Sequence, residues 1–322
     1  MDAVVLAGGY ATRLWPITRH RPKMFLPVGD RTVIDGILTE LERDDRVDGV
    51  YVSTNERFAG DFRSYLANEG FEKAQVSVEK TTDESEKFGV VGALAQLIDR
   101  EGVDDDLFVV AGDNMISFDV ADFLDFFAQR EAVSLAAYDV GSRERAKSYG
   151  LVESDGTRVV DFQEKPSNPQ STLVSIACYA FPRETLPSFE TYLADDNNPD
   201  EPGWLIQWLT DRQPVHAFAF DGTWFDIGTP DAYLEAVEHA LDGEALVHPD
   251  AIVENSTLDG TVHVMRGAEV VDSTLSETVV FPNGRVTDAD LHRSIIDEES
   301  VVAGLDMAGA LVGAHSQLHH RD

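Results

Sequence analysis

Two rhythms of apolar and polar positions run through the first two thirds of the chain. Short runs rich in β-branched residues at 3–7, 49–53, 75–79 and 107–111 read as buried strands. Between them apolar residues return at helical spacing, at Val33, Ile37, Leu38 and Leu41, and again at Val91, Leu94, Ala95 and Ile98. The alternation predicts an α/β fold, a Rossmann-like, mixed and mostly parallel sheet flanked by helices. From 133 to 181 three β-rich runs follow with less regular interruptions, which predicts antiparallel or mixed strands added to that sheet. Thr229-Pro230 then opens a last helix, with Thr as N-cap and Pro at the first helical position.

After about Gly243 the texture changes. Aliphatic residues recur at steps of about six, at Ile252, Leu258, Val264 and Val270, and less regularly through Leu275, Val280, Val286, Leu291, Ile296 and Val302. Three such steps per turn predict a parallel β-helix. The glycine expected beside each aliphatic is mostly missing, so a few β-hairpins stand as the alternative. The chain is accordingly divided into residues 1–242 and 243–322. Every chemical motif lies in the first part, which makes the second an assembly or regulatory element.

Composition narrows the class. A chain of 322 residues, 43% hydrophobic, can bury a large core and split into two domains. No run of about 18 apolar residues occurs, and the N-terminus lacks the basic region of a signal peptide, so a soluble, cytoplasmic protein is expected. Cys178 is the single cysteine and excludes an intrachain disulfide or a zinc site of paired thiolates. The net charge of −34 repels a phosphate backbone, which argues against nucleic acid and anionic membrane as partners. Acidic residues are spread along the whole chain and Arg supplies most of the positive charge, as suits a salt-loving host.

The chemistry begins at Leu6-Ala7-Gly8-Gly9, directly after the first strand, where main-chain N–H groups of a glycine-rich turn can cradle phosphates. It is neither the G-x-G-x-x-G dinucleotide fingerprint nor a G-x-x-x-x-G-K-S/T loop. A dinucleotide enzyme would also end its second strand on an acidic residue, and here that strand ends Ser53-Thr54-Asn55. Arg13 and Lys23 bring two cations beside the glycines, on a stretch stiffened by Pro16, Pro22 and Pro27, and suit a polyphosphate. Asp113 should emerge at the carboxyl end of the apolar strand 107–111, where open α/β sheets bind ligands.

These segments resemble the sugar-1-phosphate nucleotidyltransferases, whose loop reads G-G-x-G-T-R-L-x-P-x-T, then x-P-K, then Pro-Val. Here it reads Gly8-Gly9-Tyr10-Ala11-Thr12-Arg13-Leu14-Trp15-Pro16-Ile17-Thr18, then Pro22-Lys23, then Pro27-Val28. Ala11 stands for a glycine and must adopt its backbone angle, and Met24-Phe25 replaces the usual pair after the lysine. Gly112-Asp113-Asn114 and Trp224-Phe225-Asp226-Ile227-Gly228-Thr229 are similar to the family's G-D-N and W-x-D-x-G-T motifs. Tyr149-Gly150-Leu151-Val152 and Glu164-Lys165-Pro166 resemble its Y-G-V-V and E-K-P segments, while the segment 173–179 matches less well, with Ala177 where a glycine is usual.

The resemblance implies transfer of a nucleotidyl group to a sugar 1-phosphate with release of pyrophosphate, glucose 1-phosphate with dTTP or UTP being the favoured pair. It implies that Arg13 holds the departing pyrophosphate, Lys23 the α-phosphate and Lys165 the phosphate of the sugar. Asp113 and Asp226 would jointly hold Mg²⁺. Leu6, Ala7, Gly8, Gly9, Thr12, Glu79 and Gly89 would take the nucleotide; Asn114, Gly150, Glu164, Lys165 and Val174 the sugar. Thr81 to Lys87 lengthen the segment before Gly89, so the base is left open. The tail resembles the left-handed β-helix that many relatives append, and implies a homo-oligomer. A silent regulatory relative is the rival, and would be marked by loss of Arg, Lys or Asp from the motifs.

Overall fold

The computed structural model describes residues 1–80 and 88–320, so the acidic run from Thr81 to Lys87 lies outside the described residues. By contacts the chain falls into two compact units, Met1–Gly9 with Asp35–Trp224, and Tyr10–Ile34 with Phe225–Asp322. This grouping places the loop 10–34 and the helix Pro230–Ala240 with the C-terminal strands.

The first unit is built on a nine-stranded sheet. Asp2–Leu6 runs parallel to Gly49–Asn55 on one side and to Leu107–Ala111 on the other, and Ala74–Glu79 extends the parallel set beyond Gly49–Asn55. Helices cover these strands, so Val4, Val109 and Val110 are fully buried and the strands read as unbroken apolar runs. The helices Ala59–Glu69 and Val90–Glu101 end on Gly70 and Gly102 at φ 75° and 69°, left-handed positions where a side chain is disfavoured. Val91, Leu94 and Leu97 of the second join Leu107, Val109, Phe181 and Phe189 in one core.

Beyond Leu107–Ala111 the sheet becomes mixed. Leu173–Phe181 pairs antiparallel with Leu107–Ala111, Val133–Asp139 and Gly150–Asp155, whereas Val215–Ala219 returns parallel to Val133–Asp139. Parallel and antiparallel joins are thus about evenly used, and four strands, not three, lie between 133 and 181. The extra division is a tight hairpin at Asp155-Gly156-Thr157, with Gly156 at φ 60°, between Gly150–Asp155 and Arg158–Glu164. Exposed polar and charged residues at 153–155 and 158 hide that turn from hydrophobic patterning.

In the second unit the loop 10–34 forms two short 3₁₀ turns, Thr12–Leu14 and Lys23–Phe25, and a small hairpin, Pro27–Val28 with Arg31–Thr32. The helix Pro230–Ala240 opens on Thr229, whose hydroxyl accepts from the Ala232 N–H at 3.2 Å. The C-terminal strands stack in parallel ladders. Glu269 pairs with Arg285, Arg285 with Val301 and Val301 with Gln317, each sixteen residues on, and Leu275, Leu291 and Met307 repeat the step in a second ladder. A third carries Val279, Ile295 and Leu311.

The steps within a coil are therefore five, six and five residues, not six throughout, from Asp272 to Glu277 to Asn283 to Asp288. Each of these residues turns a corner in the left-handed region. Asn255, Asp272, Asp288 and Gly304 form one corner column, Gly260, Glu277, Arg293 and Gly309 a second, and Gly267, Asn283, Glu299 and His315 a third. Glycine holds only some corners because polar side chains hold the rest, and the residue after each corner is usually small. Ser273, Thr278, Ser294 and Ser300 are buried there and donate to main-chain carbonyls. Val270, Leu275, Val280, Val286, Leu291, Ile296 and Val302 fill the interior.

Candidate active site

In the first unit the strand order turns back at Asp2–Leu6, so ligands are expected beyond the carboxyl ends of that strand and Leu107–Ala111. The Gly112 N–H donates to the Leu6 carbonyl at 2.9 Å and brings Asp113, half-buried, to the start of the glycine turn. The end of the neighbouring strand fixes that turn. Ala7 N–H donates to the Ser53 carbonyl at 2.7 Å, Thr54 Oγ1 to the Ala7 carbonyl at 3.1 Å, and Asn55 Nδ2 to the Gly8 carbonyl at 3.0 Å. Sequence reasoning used Ser53-Thr54-Asn55 only to exclude a dinucleotide site. Three buried polar residues in succession at the end of an apolar strand were the signal for this brace.

Gly8 faces the carboxylate end of the Glu79 side chain. A Cβ there would lie 2.9 Å from Oε1 of Glu79, which itself accepts from the Ser53 hydroxyl at 3.0 Å. A Cβ on Gly9 would meet nothing within 4 Å. Gly89, at φ 73°, opens the helix Val90–Glu101 against the main chain of Pro199, whose carbonyl oxygen would lie 2.3 Å from a Cβ. That close approach accounts for the glycine without a ligand.

A second group gathers around Glu164, which is 9% exposed. Its N–H donates to Gln207 Oε1 at 3.0 Å, and its carboxylate sits in a notch made by two glycines. A Cβ would lie 2.8 Å from Oε2 at Gly150 and 1.7 Å at Gly203. Burial pushes this carboxyl up to about 7, against the lowering charge of Lys165 and with some help from Glu201. Lys165, exposed and at φ 46°, is ion-paired with Glu201, and its N–H donates to the Tyr149 carbonyl at 3.1 Å. Glu201, Gly203 and Gln207 were not found from sequence, since nothing there links the helix Pro202–Thr210 to the Glu-Lys-Pro turn.

Val174 is fully buried and pairs with Leu151, so its side chain belongs to the core and only its main chain meets the segment beginning at Gly150. Asn114 is 3% exposed and engaged at both ends of its amide: Nδ2 donates to the Ile176 carbonyl and Oδ1 accepts from Trp224 Nε1 at 3.2 Å. The Ile176 carbonyl is turned out by an irregularity in Leu173–Phe181, where Ala177 takes φ 53°.

In the second unit Ala11 takes φ 49° and ψ 42°, the left-handed conformation that the glycine of the related motif would adopt freely. Its carbonyl is held by the Leu14 N–H at 3.0 Å and by Thr18 Oγ1 at 2.8 Å, which folds Thr12–Leu14 and leaves Thr12 and Arg13 exposed. Lys23 is half-buried at the start of its turn, and Met24, 2% exposed, anchors that turn in the core. Asp226 lies beside Gly228, whose N–H donates to the Asp226 carbonyl at 2.8 Å. A Cβ on Gly228 would sit 3.5 Å from Asp226 Oδ1 and 3.9 Å from Arg13 Nη2, so a cation and a carboxylate flank one bare glycine.

Asp113 lies in the first unit and Asp226 in the second, and each offers carboxylate oxygens of the kind that a hard divalent cation takes. Among the described residues no group of three or more His, Cys, Asp or Glu side chains is gathered as a closed metal cage would be. No helix of the described residues is long and apolar enough to cross a membrane.

Residues 2–243 match the family model described as nucleotidyl transferase. The chain is 26% identical over 272 residues to the bifunctional protein GlmU of Methanocaldococcus jannaschii, covering 83% of this chain and 61% of that protein. It is 28% identical over 255 residues to a UTP–glucose-1-phosphate uridylyltransferase of Synechocystis, covering 76% and 64%. The chain thus spans less than two thirds of the length of these relatives. A Bacillus anthracis crystal structure described as a glucose-1-phosphate thymidylyltransferase with sucrose shares the fold, at a TM-score of 0.65 and 24% identity over 75% of this chain and 96% of that one.

Proposed function

Because the chain belongs to the nucleotidyl transferase family, we propose that it transfers a nucleotidyl group from a nucleoside triphosphate to a sugar 1-phosphate, releasing pyrophosphate and leaving a nucleotide sugar. The observation that carries this reading is that the Asp226 carboxylate and the Arg13 guanidinium both lie beside bare Gly228, a carboxylate for a metal and a cation for phosphate at one place. Glucose 1-phosphate with dTTP or UTP is the favoured pair, supported by the uridylyl and thymidylyl relatives.

In this reaction a phosphate oxygen of the sugar attacks the α-phosphorus in line, that bond forms as the bond to pyrophosphate breaks, and no side-chain nucleophile is needed. Catalysis is then positioning and charge neutralisation. Arg13 takes the departing pyrophosphate and Lys23 the α-phosphate. Lys165, kept in place by Glu201, exchanges that carboxylate for the sugar's phosphate. Glu164 accepts from sugar hydroxyls beside the Gly150 main chain, with Asn114 and the main chain of Val174 behind them. Leu6 to Gly9, Thr12, Glu79 and Gly89 receive the nucleotide. Asp113 and Asp226 would hold Mg²⁺, which when bound neutralises the triphosphate.

The same reading takes 1–242 as the catalytic domain and 243–322 as a left-handed β-helix through which copies assemble. The −34 charge supports a soluble protein of the cytoplasm of a halophilic archaeon, with neither nucleic acid nor membrane as partner. Pyrophosphate release measured across five nucleoside triphosphates and several sugar 1-phosphates with Mg²⁺ tests the activity and assigns the pair. Tight nucleotide-sugar binding with no release from any pair would instead make the chain a silent regulatory subunit.

A further inference from the structure

After a first coil of seventeen residues the ladders of the second unit repeat every sixteen, and one column breaks the pattern of its neighbours. Phe281, Asp297 and Gly313 stand at the same place in three successive coils: the Phe281 N–H donates to the Ile296 carbonyl, and the Asp297 N–H to that of Val312. An aromatic ring, a carboxylate and a bare glycine there share no packing logic as a repeat. All three meet the loop 10–34.

Arg21 Nη2 donates to Asp297 Oδ1 at 2.8 Å and to Glu298 Oε1 at 3.0 Å, and its guanidinium lies 5.0 Å from the centroid of the Phe281 ring. The Asp297 side chain is 2% exposed and that of Arg21 17%, so this pair is shielded from water and from salt. At Gly313 a Cβ would fall 2.7 Å from the Cβ of Pro16, a contact that only glycine permits. The loop's exit is held as well, by the Tyr233 hydroxyl on the Pro27 carbonyl at 2.7 Å.

Pro16 lies three residues after Arg13, and Arg21 two before Lys23. We infer that the coil stack is a working part of the active site, its column of Phe281, Asp297 and Gly313 docking the loop so that Arg13 and Lys23 are aimed, with Arg21 as the positioning residue. A planar guanidinium suits that task because it can pair with two carboxylates and stack on a ring at once. This runs against the sequence-based expectation that the tail serves assembly or regulation only. It rests on the proposed phosphate role of Lys23, and the test keeps the two claims apart.

Arg21→Met and Arg21→Lys are made in the full-length chain, each alone and together with Lys23→Ala. Misplacement of a phosphate-binding cation by about 1 Å costs up to about 10²-fold in rate. Arg21→Met should therefore lower kcat by about 10- to 100-fold with the KM for triphosphate changed far less. Arg21→Lys, which keeps the ion pair and loses the fork and the stack, should fall between. Both losses should shrink in the Lys23→Ala background, because one of the two cations that Arg21 positions is no longer there. Equal fractional losses in the two backgrounds, or a wild-type kcat in Arg21→Met, would overturn the inference while leaving the loop chemistry standing. A wild-type kcat in Lys23→Ala alone would overturn both. Should Arg21→Met fail to fold, the Arg21→Lys pair of measurements decides.

Discussion

The two units treat buried polar groups in opposite ways. In the sheet unit Ser53, Asn55, Asn114 and Glu164 cluster at or near one edge, each with its own unrepeated partner. In the coil stack Ser273, Thr278, Ser294 and Ser300 each follow a corner, and each donates to a carbonyl of the chain. The first arrangement positions particular atoms, and the second satisfies the main chain wherever the backbone turns. Departure from repetition therefore marks function in this molecule, and the same criterion singles out Phe281, Asp297 and Gly313 within the stack.

If that contrast is right, substitutions at the sheet edge and its loop should alter rate, and substitutions in the repeat should alter stability. The largest effect is expected for Asp113→Asn or Asp226→Asn, which keep shape and remove one charge. Turnover should fall by roughly 10²–10³ or more with folding intact, as measured by pyrophosphate release over a Mg²⁺ titration. Full activity of either variant at ordinary Mg²⁺ would remove that aspartate from the catalytic set.

Glu164 supplies a pH test. Its folded value near 7 lies above the ordinary 4.5, so the folded state holds that proton more firmly than the unfolded one. The associated stability is present below about 4.5 and lost as pH rises through about 7. Glu164→Gln should thus melt higher than the parent at pH 8, by up to about 3 kcal/mol of stability, and the gain should shrink towards pH 4.5. Its KM for the sugar phosphate should rise throughout. A melting difference independent of pH would show that the carboxyl titrates normally.

In the stack, Ser294→Ala removes a donor to the His292 carbonyl and an acceptor for the Ala310 N–H. A stability loss of about 1–3 kcal/mol is expected in denaturant melts, with kcat unchanged; a lowered kcat at full stability would blur the contrast. The smallest effect belongs to Ala11→Gly and Ala177→Gly, each relieving a left-handed alanine. A gain of about 0.5–1 kcal/mol is expected, and a loss at either site would mean that the methyl group itself contributes to packing.

The strands of the parallel half were legible because burial on both faces leaves unbroken apolar runs, as in Leu107–Ala111. The hairpin at Gly156 was not, because its exposed charges carry no period. The motif residues were legible as candidates, since the proposed phosphate site would need glycines and cations at close spacing. What holds them was not: Glu201 and Gln207 reach Lys165 and Glu164 across about forty residues of sequence, and Arg21 reaches Asp297 across far more. The coil period was legible in outline and misjudged in detail. A Glu or Arg that turns a left-handed corner, such as Glu277 or Arg293, looks like any surface charge until its backbone angle is known.

The chain visits its two units in the order first, second, first, second, with Tyr10–Ile34 as the early visit to the second. On a ribosome that order has a cost in time. Residues 10–34 emerge long before Tyr233, Phe281, Asp297 and Gly313, and at roughly 5–20 residues per second the wait for those partners is on the order of ten seconds or more. The loop 10–34 is thus among the first segments made and the last to acquire its seat, and a nascent chain stalled before the coils would carry every family motif without the coils that hold Arg21 and Pro16.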